Sequence, residues 1–177
     1  MIDRLLFTLT LSSALGCGLM AGFFFAFSAC VMNALAHLPA AQGIAAMQSI
    51  NVAVLNRWFF AVFFGTAAAC ALGAGSALFT LHEAGSAYLL AGSLLYLAGT
   101  VLVTIVFNVP LNEALAAVEP GSAKGADLWT RYVVTWTAWN HVRTLAAFVA
   151  AALLIVAAIA GAGAHTILGL VRPGADP

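Results

Sequence analysis

Residues 129–143 read WTRYVVTWTAWNHVR, and the run that follows, TLAAFVAAALLIVAAIAGAGA at 144–164, carries no charge. The second piece is long enough to cross a bilayer, which takes about 20 apolar residues in a helix. The first piece places tryptophans, an asparagine, a histidine and an arginine at its mouth. A helix advances about 100° per residue. On that wheel Trp129, Tyr132, Trp136, Trp139, Asn140, Arg143 and Ala147 share one arc of roughly 100°, and His141 falls off it. One helix face thus carries aromatic planes, an amide and a fixed cation into a membrane-length segment.

The rest of the chain agrees. It is 64% hydrophobic and 7% charged, with a mean hydropathy of +1.06, where a soluble domain carries roughly 25% charged residues. This is the composition of an integral membrane protein. Basic and acidic residues balance at six each and form no basic run, so no nucleic-acid partner is expected. Cys17, Cys30 and Cys70 all lie in apolar runs without CxxC or Cys/His metal spacing. They read as small core residues rather than a disulfide framework or a metal site. Phe27-Ser28-Ala29-Cys30 loosely matches a lipoprotein cleavage box. The apolar run from Leu5 is longer than the about 7–15 residues of a signal-peptide core, so the segment is read as an uncleaved first span.

The expected fold is a single all-α domain over residues 1–177, an integral membrane four-helix bundle. Its spans fall at about 5–36, 58–81, 87–108 and 144–164, by run length. An interfacial helix lies between spans one and two, and the first half of a long last helix protrudes from the bilayer. In span one Ala14, Gly18, Gly22 and Ala26 form a small-residue stripe of the kind that lets membrane helices approach closely. Packing inside the bundle is its expected use, and a homo-oligomer seam is the alternative. The segment from Ala40 to Arg57 puts Ile44, Met47, Gln48, Asn51, Val54, Leu55 and Trp58 on one face. Its two amides either cap neighbouring backbone or line a polar pocket, because an unpaired buried polar group costs about 1–3 kcal/mol.

Gly65, Ala69 and Gly73 give span two a close-packing face, and His82-Glu83-Ala84-Gly85 forms a tight turn. Span three carries Thr100, Thr104 and Asn108 at four-residue spacing and runs into Asn108-Val109-Pro110-Leu111-Asn112-Glu113. Proline lacks an N–H and crowds the carbonyl four residues back, so a kink or stop is expected there. Residues 119–125, EPGSAKG, make the clearest loop; the last helix begins near Ala126, and the tail to Pro177 reads as frayed. Four spans bring the Gln48–Asn51 segment, the Asn108–Glu113 turn and the Trp129–Arg143 face to one side. Leaving out Arg57 and Arg143 as candidate site residues, Lys124 and Arg131 on that side face Arg4 and Arg172 on the other. The positive-inside count therefore sets no orientation.

The candidate catalytic residues are Asn108, Asn140 and Arg143, with Gln48, Asn51, Asn112, Trp136 and Trp139 as candidate substrate contacts. Arg143 either snorkels to headgroups or stacks on an indole and offers its donor fork to a phenolate or enolate oxygen. The tryptophans are either interfacial anchors or a sandwich for a flat ligand. No metal ligand set is expected. His37 and His141 lie on the polar side and leave haem as an alternative cofactor reading, since histidine is a common axial ligand. Glu113 is near enough to Asn112 to be considered as a base.

GFFFAFSACVMNAL in span one, GIAAMQSINVAVLN, NVPLN and WTAWNHVRT together resemble the anthrone oxygenase-like integral membrane family. The resemblance runs in order over nearly the whole chain. It implies cofactor-free oxidation of an anthrone to an anthraquinone by O₂, and it points to Asn108, Asn112, Trp136, Trp139, Asn140 and Arg143. Asn33 stands where many relatives are expected to carry proline, a departure that touches a turn. The expected partners are a small aromatic substrate, O₂ and membrane lipid, and the expected location is a bacterial inner membrane, crossed several times. A non-enzymatic binding or scaffold protein is the alternative, as is a haem- or quinone-binding one.

Overall fold

The computed structural model describes residues 2–171, with side chains placed for residues 4–162. Five helical rods follow in order: α1 over residues 2–36, α2 Ala40–Ala53, α3 Arg57–Phe79, α4 Ser86–Ala116 and α5 Ala123–Val171. Four of them, all but α2, are long and apolar enough to cross a membrane. No strand occurs among the described residues. The chain is a helical membrane bundle.

Local chemistry sets the breaks. Pro39 opens α2 from an extended conformation. Asn56 caps α3, its Oδ1 accepting from Trp58 N–H at 3.0 Å and Phe59 N–H at 3.1 Å, as a helix start requires. Gly85 turns the chain into α4 with φ at 91°, a region side chains rarely adopt. A Cβ there would also lie 2.7 Å from Ala157 O on α5. Ser122 caps α5 by accepting from Gly125 N–H at 3.0 Å.

Neighbouring spans run antiparallel. Gly16 faces Thr66 and Phe23 faces Phe59; Gly73 faces Leu89 and Phe63 faces Tyr96; Gly92 faces Leu154 and Thr100 faces Arg143. α5 then closes the ring along α1, so the start of α1 and the end of α5 lie at the same end of the bundle. Two apolar cores result. One, in mid-bundle, gathers Cys17, Met20, Phe24, Phe63, Cys70, Leu89, Tyr96, Ala147, Ala150 and Leu154. The other joins Met32, Leu35, Ile44, Met47, Leu115, Val118, Trp129, Tyr132 and Trp136. The polar residues Ser28, Thr100, Asn108, Asn140 and Arg143 are buried along the helices between the two.

Several expectations need correction. Of the small-residue stripe of α1 only Ala14 packs inside; Gly18, Gly22 and Ala26 are exposed, and a Cβ at either glycine would meet nothing. α5 already supplies small residues (Ala147, Ala150, Ala151, Ala157), so α1 turns its larger ones, Met20 and Phe24, toward it. Nor does the helix stop at Pro110. α4 widens into π-helix over Tyr96–Leu102 and Thr104–Asn108, then continues as α-helix through Pro110.

The first half of α5 is not a bare protrusion. At 1.5 Å per residue the helix is about 74 Å long, far more than a hydrocarbon core of about 30 Å. Its early turns are sheathed by α2, the end of α1 and the end of α4. At Gly43 of α2 a Cβ would stand 2.7 Å from Trp129 Cζ2, so this approach needs glycine. Asn33 lies within the helix of span one and not in a turn. The tail, Arg172 and the side chain of His165 lie outside the described residues.

Candidate functional site

Asn140 is fully buried, and every polar atom of its amide is used. Its Nδ2 donates to Phe24 O at 2.7 Å and to Ser28 Oγ at 2.6 Å. Its Oδ1 accepts from Arg143 Nε at 2.8 Å. Phe24 O lies just ahead of the π-helical turn Phe27–Val31 of α1.

Arg143 is 6% exposed. It does not snorkel outward. Its guanidinium carbon sits 4.0 Å from the Phe24 ring centroid and 4.8 Å from that of Trp136. Its Nη1 reaches Thr104 Oγ1 at 3.4 Å, and its backbone carbonyl accepts from Thr100 Oγ1 at 3.3 Å. Glu83, Glu113, Glu119 and Asp127 are all exposed, so no described acid neutralises it. An uncompensated buried charge is costly; stacking on aromatic faces and charge-assisted hydrogen bonds offset part of that cost.

Asn108 joins the same region from α4, donating from Nδ2 to Trp136 O at 3.2 Å. Its Oδ1 is buried with no partner, and a flipped amide would merely set oxygen against oxygen. The π-helical stretches explain how one helix presents Thr100, Thr104 and Asn108 together. At about 100° per residue the third would swing about 80° from the first; a wider turn advances less, and all three meet α5 or its side chains.

One turn further out, Asn112 Oδ1 accepts from both Tyr132 OH and Trp136 Nε1 at 2.8 Å. Asn112 thereby fixes two aromatic rings. Gln48 is spent as a cap: its Nε2 donates to Leu115 O at 2.8 Å and Val118 O at 3.0 Å, closing the end of α4. Asn51 Nδ2 is buried without a partner. Trp139 leaves the cluster and stacks on Phe107 at 3.6 Å and 9°. Trp136 instead meets Phe27 and Tyr132, so the pair forms no sandwich. His37 is exposed with Nδ1 against Asn33 O at 2.7 Å, and Glu113 faces outward. Among the described residues no three His, Cys, Asp or Glu gather to hold a metal.

Two cavities flank the cluster. One, of about 470 Å³, is apolar and lies among Met20, Phe23, Phe27, Ile50, Trp58 and Phe59. The other, of about 310 Å³, is a groove between α1 and α5 with Ser28, Asn33, Thr137 and His141 in its wall. Ser28 and Thr137 stand outside the candidates that the sequence marks. The signal available was the four-residue spacing of Phe24 and Ser28 on the line of α1 that also holds Cys17.

The model of a protein family described as anthrone oxygenase matches residues 55–153. That is more than half of the chain and includes Asn108, Asn112, Trp136, Asn140 and Arg143, while α1 and α2 lie outside it. No curated protein and no solved structure matches.

Proposed function

The chain belongs to the anthrone oxygenase family, and from that premise we propose that it oxidises anthrone-like or polyphenolic substrates with O₂, without metal, flavin or haem. The observation that carries this reading is Arg143, a buried cation with no acid beside it, held by Asn140 and two aromatic rings. An anthrone is flat, apolar and carries an acidified C–H, so it partitions into a membrane and ionises to a delocalised enolate. A fixed positive charge in a low-dielectric bundle stabilises that anion, as preorganised dipoles and charges do at oxyanion sites.

The overall reaction balances without a further oxidant. The enolate carbon gives its electrons to O₂, in single-electron steps, and a C–O bond forms. Protonation yields a hydroperoxide. Loss of the second proton at that carbon breaks the O–O bond, leaving the quinone carbonyl and one water.

The test is oxygen consumption by purified, metal-stripped protein with an anthrone, with quinone formation followed by its absorbance. One quinone per O₂ is expected. Activity that vanishes on stripping and returns with haem or a metal would overturn the cofactor-free reading. No turnover of any anthrone, with or without cofactors, would leave a binding protein.

A further inference from the structure

We propose that the reacting anion is held in the α1–α5 groove, with the Ser28 and Thr137 hydroxyls as its donors and His141 as its proton acceptor; this deepens and rests on the oxygenase reading. The hydrogen bonds that lead from Arg143 all run in one direction. Arg143 Nε–H donates to Asn140 Oδ1, and Asn140 Nδ2–H donates to Ser28 Oγ. Each donor therefore points away from the cation, and the remaining hydrogen is that of Ser28. Bonds aligned this way polarise one another, which makes the Ser28 O–H a stronger donor than a free serine's.

Among the described residues that hydrogen meets no acceptor. Thr10, Ser13, Thr104 and Thr144 each donate to the carbonyl four residues back. Ser28 makes no such bond, because Phe24 O, the carbonyl four back, accepts from Asn140. Ser28 is 9% exposed and lies in the groove wall. Thr137, across from it on α5, has a buried Oγ1 with no partner. Two unspent hydroxyls in one groove make a site for an oxyanion. Its volume of about 310 Å³ is at the small end of ligand pockets, about 300–1,000 Å³, and suits a small flat aromatic with one ionising oxygen.

His141 is exposed and stands in the same wall, one helical turn beyond Thr137. Among the described residues no other titratable or charged side chain lines the groove. The neutral imidazole takes the acidic proton of the substrate, the C–H pair moves into the enolate, and the charge on oxygen falls to Ser28 and Thr137. The same imidazolium gives its proton to the peroxide anion, forming the hydroperoxide. Arg143 is then a positioning residue, acting through Asn140 and Ser28 rather than by touching substrate.

The experiment uses the full chain in detergent with two readouts, anthrone-dependent oxygen consumption and binding of 4-nitrophenol followed by its phenolate absorption. Ser28→Ala is expected to lower kcat about 10²-fold and to weaken nitrophenolate binding about tenfold; Ser28→Thr keeps both, and Thr137→Val weakens binding. His141→Ala loses turnover, and added imidazole restores it. Wild-type binding and turnover in Ser28→Ala, or in His141→Ala, would overturn the groove while leaving the oxygenase reading standing. Nitrophenolate binding that depends on Ser28, in a protein that oxidises no anthrone, would keep the groove as an anion site and remove the oxygenase reading.

Discussion

Asn140 Oδ1 receives the Nε–H of Arg143 at 2.8 Å, and this bond joins the two residues whose burial is hardest to explain by packing alone. Arg143 puts a full charge between two apolar cores, and Asn140 ties it to the backbone of α1. A stability requirement would favour an aliphatic pair at these positions, because replacing buried charges by apolar residues of similar size is often neutral or stabilising.

Arg143→Lys and Arg143→Met should therefore part stability from activity. Lysine keeps the charge and loses the planar fork that bonds Asn140 while lying between two rings. Turnover with an anthrone is expected to fall about 10²–10³-fold, the scale of a lost oxyanion-hole donor. Methionine should abolish turnover without lowering Tm in detergent, since removing the charge offsets leaving Asn140 Oδ1 unpaired. Equal rates for Arg143→Lys and wild type would remove Arg143 from the mechanism.

Gln48 should behave in the opposite way. Its Nε2 serves two carbonyls at the end of α4, so Gln48→Leu leaves both without a side-chain donor. A loss of about 1–3 kcal/mol is expected, read as a lower Tm, with kcat on the surviving fold little changed. A large drop in kcat at unchanged Tm would mean that the amide serves substrate.

The two faces of α1 can be separated by glycine replacement. Gly22 opens onto empty space, whereas a Cβ at Gly16 runs into Thr66. Gly16→Leu should destabilise by overpacking, about 1–3 kcal/mol, and Gly22→Leu should leave the Tm of the monomer unchanged. A change in particle mass with Gly22→Leu would show that the outward stripe contacts a second copy.

What was legible followed from run lengths and from a single helical wheel. Hydropathy alone locates the four spans, and the arc of Trp136, Asn140 and Arg143 is the buried face of α5. Two kinds of information were missing. A wheel assumes a constant angle per residue, so it does not register the π-helical stretches of α4 that align Thr100, Thr104 and Asn108. A wheel also treats one helix at a time. Trp139 lies on the right arc yet finds Phe107 before it finds Trp136. His141 lies off the arc, yet the neighbouring α1 makes a groove on just that side. The stripe of Gly18 and Gly22 misled for the same reason, because small residues mark a helix that can be approached without saying from where.

Asn140→Asp gives the sharpest separation of charge from shape. The side chains are nearly the same size, so packing between Phe24, Ser28 and Arg143 is kept. The new carboxylate would stand at hydrogen-bond distance from the Arg143 Nε, where Oδ1 now lies 2.8 Å away. It supplies the acid that the described residues lack, and neutralises the cation. It also turns the donor toward Ser28 and Phe24 O into an acceptor, so Ser28 would then give its hydrogen inward, to the carboxylate, rather than into the groove. Stability feels two opposed effects: a buried ion pair replaces an unpaired charge, while Phe24 O loses its donor at a cost of about 1–3 kcal/mol. Tm should shift modestly in either direction. Turnover should fall at least 10²-fold, because both the field at the enolate and the Ser28 donor are lost together. Asn140→Asp with near wild-type kcat would show that neither the buried positive charge nor the relay through Ser28 contributes to the reaction.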